Sequence, residues 1–201
     1  MKILSLLRQL RHLRETVRTT YGGGITAWGN YLYYGLFRIN RFKILKADLS
    51  GPLTAEATPR LSFSHPALPE LDEARSRREL PREFFCDRFH KVGGCCIGRF
   101  DGELAYIHWL YYRGDYSRFL NIGPESAEIN YVLTLPEFRG HGISTKAMLY
   151  SLARLRKEGI KSVFAVVHEE NVASIKSFIR AGFTECGDLV SFGQFNRKVP
   201  V

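Results

Sequence analysis

The chain predicts an α/β fold in which one mixed sheet carries helices on both faces. Three observations point to it. The run "KSVFAVVH", Lys161–His168, is continuously apolar after its first two residues, as in a strand buried on both faces. Segments of helical period lie on either side of it, each closed by a glycine, Gly159 and Gly182. Upstream, Asp101-Gly102 between two apolar runs is a strong hairpin signal. Helices first, then hairpin, β, α, β, α, β is the order of a layered α/β domain. With 201 residues, 45% of them hydrophobic, the chain can bury the core of one domain.

Taken in order, residues 1–20 predict an amphipathic helix. Ile3, Leu6, Leu7, Leu10, Leu13 and Val17 share one side, with Arg8, Arg11 and Arg18 opposite, and Tyr21–Gly24 stops it. "ITAWGNYLYYGLFRINRF" is aromatic and glycine-punctuated, and its periodicity favours no element. "RFKILKADLS" predicts a first strand ending at Gly51-Pro52, and residues 52–66 a polar loop. Leu68 to Lys91 predicts two short helices split near Pro81. "GCCIGRF" and "ELAYIHWLYY" form the hairpin, "SAEINYVLTL" the next strand, and His141 to about Lys157 a helix with Met148, Leu149, Leu152 and Leu155 inward. Asn171–Arg180 is the second helix of this half, and "FTECGDLVSFGQF" closes with one or two strands.

Composition excludes several classes. The net charge is +9, and residues 1–46 hold nine Lys/Arg against Glu15 alone, so the excess is N-terminal. This divides the chain into a basic extension, 1–40, and a domain, 41–201. No apolar run reaches the roughly 18 residues of a membrane span, and Arg8 interrupts the first too early for a secretory signal. Cys86, Cys95, Cys96 and Cys186 lack C-x-x-C spacing, and the plain reading is free thiols in a reducing cytoplasm. The six histidines form no metal-ligand pattern, so no metal is expected.

The stretch "LPEFRGHGIS", Leu135–Ser144, leaves a strand and enters a helix. Such a turn presents backbone N–H groups at a positive helix end, which suits a pyrophosphate. Gly140 and Gly142 permit close approach, and Arg139 can add charge-assisted bonds. Neither G-x-G-x-x-G nor a P-loop is present. In context, the chain resembles the GCN5-related N-acetyltransferase (GNAT) superfamily over about Glu128 to Phe183. The turn is similar to that family's R/Q-x-x-G-x-G/A pattern, here Arg139 through Ser144. A second stretch is similar to N-x-x-A-x-x-x-Y-x-x-x-G-F, here Asn171, Ser174, Phe178, Gly182 and Phe183.

The resemblance implies a GNAT-like, mostly antiparallel central sheet and an acyl-CoA co-substrate. Val132, Leu133 and Thr134 would lie along the pantetheine, the amides of Arg139, Gly140, His141, Gly142, Ile143 and Ser144 would cradle the pyrophosphate, Asn171 would reach the pantetheine, and Lys176 would contact the adenine side. A backbone N–H near Leu133 would polarise the thioester carbonyl. Two of the departures from the family carry weight: Ser144 replaces Gly/Ala, and Phe178 stands where many relatives carry the Tyr that protonates the departing thiolate. For a base, Glu128 and Asn130 alternate on one strand face, where a carboxylate can take a proton from an attacking ammonium or simply meet solvent or a surface arginine. His108 and His168 read first as structural imidazoles, Cys95 and Cys96 as strand packing, and Tyr106, Trp109, Tyr111 and Tyr112 as hairpin core or as an acceptor pocket.

The expected activity is direct transfer of an acyl group, foremost acetyl, from CoA to an amine. The alternatives are an acyl-CoA-binding protein without turnover and a membrane-docked interaction module. The N-terminal helix can pack on the domain or on a second subunit of a homodimer, or lie on an anionic membrane surface through residues 1–20, peripheral to the inner face. Nucleic acid has least support, since no reading motif accompanies the arginines.

Overall fold

The computed structural model describes residues 24–33, 39–51, 58–90, 92, 94–192 and 197–201. The predicted helix over residues 1–20 lies outside them. The chain divides into two units, residues 1–41 with 190–196 and residues 42–189 with 197–201. The first contains α1 (Ile25–Leu32), a helix in the stretch whose periodicity favoured no element.

The second unit holds most of a seven-stranded sheet. Its strands are β1 (Ile39–Asp48), β2 (Leu61–Ser64), β3 (Gly94–Phe100), β4 (Glu103–Tyr111), β6 (Ser126–Thr134), β7 (Ser162–His168) and β8 (Thr184–Phe192), in the order β2-β3-β4-β6-β7-β1-β8. The pairs β2/β3, β3/β4, β4/β6 and β1/β7 are antiparallel, and β6/β7 is parallel. The β3–β4 hairpin turns through Asp101 (φ 50°) and Gly102 (φ 85°), the left-handed pair a two-residue turn requires. The short β5 (Leu120–Asn121) and β9 (Val199–Pro200) form a separate parallel pair.

One expectation is corrected here. Residues 52–66 are not all loop, because Leu61–Ser64 pairs with Ile97–Phe100 as an edge strand. The two short helices expected over Leu68–Lys91 are α2 (Leu68–Ser76) and a 3-10 helix, Arg82–Arg88. Pro81 separates the two, as expected from its missing N–H. Buried Arg75 ties them together: its guanidinium bonds both carboxylate oxygens of Asp87 (2.8 and 2.9 Å), Asp72 and the carbonyl of Phe84 (2.9 Å).

These two segments cover one face of the sheet, setting Leu71, Ala74 and Phe84 against Ile97, Ile107 and Trp109. The Trp109 indole N–H donates to the carbonyl of Glu83 at 2.7 Å. The opposite face is covered by α3 (Ile143–Lys157) and α4 (Val172–Arg180), whose Met148, Leu152, Leu155 and Phe178 pack on Ala127, Ile129, Val163 and Ala165. Helices therefore lie on both faces of a mostly antiparallel sheet.

Candidate functional site

β6 keeps two different neighbours. With β4 it pairs from Glu128 to Thr134, but with β7 only at Ser126, Ala127 and Glu128, so the parallel pair opens beyond Glu128. Along the same stretch β6 carries one extra residue, since Trp109 faces Asn130 while Ile107 faces Leu133. Tyr131 absorbs it with φ 49°, unusual for a bulky residue, and the Asn130 side-chain oxygen accepts from its N–H at 2.8 Å.

Glu128 sits at the inner end of this fork with no solvent exposure. The Asn130 amide donates to its Oε1 at 3.0 Å, which puts both on one strand face. Its Oε2 is buried with no hydrogen-bond partner among the described residues. Burial pushes the carboxyl up to about 7, against the opposing pull of Ser117, Asn130 and the charge of Lys198. The neighbouring Tyr111 hydroxyl, on the residue paired with Glu128, is likewise buried and unpartnered. A carboxyl raised towards neutrality, with an oxygen left open, can exchange a proton near pH 7.

At its other end β6 runs through Leu135 into a 3-10 turn, Pro136–Phe138, and then the glycine turn. Gly140 (φ 86°) and Gly142 (φ 69°) are both left-handed, and a Cβ built on either meets nothing within 4 Å. Because Gly142 occupies the N-cap in that conformation, α3 starts at Ile143 rather than at the expected His141. No side chain caps it, and the amides of Gly140 through Thr145 donate to no backbone carbonyl among the described residues. Arg139 is held beside the turn by its Nε, which donates to the Thr134 carbonyl at 3.3 Å.

Between this turn, the free side of β6 and α4 lies a cleft of about 480 Å³. Val132, Leu133, Thr134, Arg139, Gly140, Gly142, Ile143, Ser144 and Asn171 all line it. His141 does not: its ring folds back against Phe100 (4.6 Å) with Nδ1 3.2 Å from the Phe138 carbonyl. Lys176 is exposed and outside the lining, and Glu128 and Asn130 lie deeper, where the strands meet. Sequence reasoning missed Phe138, Thr145, Ala173, Ser177 and Arg180 and named Ser174 only as a motif position; all of them line the cleft. The four on α4 recur three and four residues apart beyond Asn171, a helix face whose spacing was legible and whose direction was not. Asn171 caps α4, its Oδ1 accepting from the Ser174 N–H at 3.2 Å.

The remaining candidates are structural. Phe178 is buried, edge-to-face with Phe183 at 4.9 Å, and points into the core rather than the cleft. His108 is fully buried with Nδ1 2.9 Å from the Tyr106 hydroxyl, and burial lowers it to about 3, so it is neutral. Burial pushes Cys95 and Cys96 up to about 12, far from a reactive thiolate. The His168 ring accepts from the Glu170 N–H at 3.3 Å. Tyr106, Trp109 and Tyr111 are buried in the sheet, and the Tyr112 hydroxyl donates to Glu158 at 3.0 Å. Among the described residues no cluster of His, Cys, Asp or Glu is placed to hold a metal, and no helix is long and apolar enough to cross a membrane.

Against known proteins, the model of the Acetyltransferase (GNAT) family matches residues 54–183. The fold is similar to a GCN5-related N-acetyltransferase from Kribbella flavida, at 16% identity over 80% of this chain and 60% of that one, TM-score 0.54. It is similar to a GCN5-related N-acetyltransferase from Sphaerobacter thermophilus, at 12% identity over 89% and 59%, TM-score 0.54. It is also similar to a glucosamine N-acetyltransferase region of a fungal multi-domain β-N-acetylglucosaminidase, at 14% identity over 83% and 23%, TM-score 0.57. The chain spans less than two thirds of each of these, and at such identities the likeness is one of fold. No curated protein sequence matches it.

Proposed function

Since the chain belongs to the Acetyltransferase (GNAT) family, we propose that it transfers an acyl group, foremost acetyl, from acyl-CoA directly to an amine. The observation that carries this is the cleft between the free side of β6 and the head of α3, where uncommitted amides and two left-handed glycines leave room that a Cβ would fill. Acyl-CoA supplies the thioester and a good leaving group. The amides of Gly140 to Thr145 and the positive end of α3 hold its diphosphate, with Arg139 and Arg180 as flanking cations. Val132, Leu133 and Thr134 offer backbone to the pantetheine along the side that β7 does not cover, with Asn171 opposite. The Leu133 N–H stabilises charge developing on the thioester oxygen. Glu128, kept in place by Asn130, takes the proton from the attacking ammonium. Much of the acceleration then comes from positioning.

Phe178 favours a second reading, an acyl-CoA binder without turnover, because no phenol reaches the cleft from that position. Transfer remains our reading because a thiolate leaves without protein-donated protons. Calorimetry with acetyl-CoA, followed by thiol release with a panel of amines, tests both. The expected result is binding that Arg139→Ala weakens about 3–10-fold and turnover with at least one amine class. Binding without any turnover would select the binder, and no binding to acetyl-CoA or longer acyl-CoAs would remove both.

A further inference from the structure

Beside Glu128 the chain builds a second feature that the cofactor cleft does not use. The His90 ring is sandwiched between Tyr116 (5.2 Å, 4°) and Tyr131 (5.6 Å, 23°), and the Tyr131 hydroxyl lies 3.2 Å from its Nε2. Tyr116 and Tyr131 remain exposed on their outer parts. Tyr131 directly follows Asn130, which holds Glu128, and Ser117, which opposes the rise of the Glu128 pKa, directly follows Tyr116. Buried Ser117 is anchored as acceptor of the Leu120 N–H at 3.0 Å. Three flat rings drawn from three distant segments therefore stack beside the segments that hold Glu128, whose Oε2 is buried without a hydrogen-bond partner among the described residues.

Cations act on this wall from three segments. Lys198 lies 5.3 Å from the Tyr116 ring centre, and its charge acts on Glu128. Arg82 and Arg118 act on Tyr131, and Arg82 on His90. Of the nearby acids, Asp87 pairs with Arg75, and the Asp115 carboxylate accepts from the Tyr112 N–H. Three cations around a mouth repel a polyamine and attract an anion. They also favour the neutral form of an arriving amine, the form that attacks.

We propose, resting on the acyl-transfer reading above, that the acceptor is a small amine that also carries a carboxylate or phosphate, seated against the Tyr131–His90–Tyr116 wall with its anion towards Lys198, Arg118 and Arg82. The amine then reaches Glu128, and the anion fixes which end enters.

Matched amines test this at fixed acetyl-CoA and low salt: phenylalanine against phenethylamine, and glucosamine 6-phosphate against glucosamine, with spermidine as the polycation. Within at least one pair the anionic member should show kcat/KM about tenfold or more above its partner. Arg82→Gln and Arg118→Gln should each narrow that gap several-fold while leaving the uncharged partner within about twofold, and added salt should narrow it too. Equal or better turnover of the uncharged amines or of spermidine overturns the proposal. Should no amine release CoA, the same amines are titrated into the CoA-loaded protein. Anion-dependent binding lost in both variants then keeps the acceptor site while transfer fails, and binding without charge preference, or none, overturns it.

Discussion

At its outer end β6 delivers the chain into a turn whose working groups are main-chain amides; at its inner end it delivers one carboxyl into a buried pocket of side chains. The turn draws on six consecutive residues, Arg139–Ser144, and stands largely exposed. The Glu128 pocket draws on the Asn130 amide, which donates to the carboxylate, on burial beside Tyr111, and on Ser117 and Lys198, which oppose the rise of its pKa. A backbone cradle tolerates side-chain change and fails when its φ angles are lost, whereas a buried carboxyl tolerates backbone neighbours and fails when its own charge is altered.

The sharpest break of that contrast is Glu128→Gln. It should lower kcat by about 10²–10⁴-fold and leave the acetyl-CoA Kd unchanged, because the carboxyl lies inside the fork and not in the cleft lining. The wild-type rate should rise with pH through about 7 as the raised carboxyl ionises. Stability should run the other way. A folded carboxyl raised above its unfolded value binds its proton more tightly in the native state, so native stability falls as pH climbs from about 4.5 to about 7 and stays lower beyond. Chemical denaturation at pH 5 and pH 8 should thus show Glu128→Gln gaining on the wild type by roughly 1–3 kcal/mol at the higher pH. Equal denaturation midpoints at both pH values would mean that the carboxyl is solvated.

This contrast also decided what could be read before the structure. Arg139, Gly140 and Gly142 are contiguous, and Asn171, Gly182 and Phe183 sit on one helix and its stop, so local rules reach them. The strands β6 and β7 were legible for the same reason, from alternation and from an apolar run. Edge strand β2 was not, since Leu61–Ser64 is four residues long and stabilised only by pairing with β3. Nor were β5 and β9, two residues each, brought together over almost eighty positions. The Glu128–Asn130 face followed from period two, but the partners that set its proton affinity, Ser117 and Lys198, arrive from loops whose course no periodicity encodes. The start of α3 slipped from His141 to Ile143 because Gly142 takes the left-handed N-cap.

A middle-sized effect belongs to the cradle. Gly142→Ala places a Cβ on a residue at φ 69°, where it is strained whatever the space around it. It should weaken acetyl-CoA about tenfold in calorimetry, with kcat at saturation changed less than twofold. Arg180→Ala should weaken it less, about threefold, and Lys176→Ala, outside the lining, not measurably. If Lys176→Ala matched Arg180→Ala, the cofactor would lie over the wrong face of α4.

The smallest effect on rate, and the most informative about the second reading, is expected from Phe178→Tyr. Restoring a phenol would restore a proton donor only if the ring faced the cleft. Phe178 instead packs edge-to-face on Phe183 among Met148, Leu152 and Ala181. A hydroxyl there enters an apolar core and loses water without an evident partner, at a cost of about 1–3 kcal/mol. The variant should therefore unfold at lower denaturant than the wild type while its kcat stays within about twofold. A kcat gain of tenfold or more would mean that the α4 ring swings towards the acyl group during turnover, and that proton delivery to the departing thiolate limits the native rate.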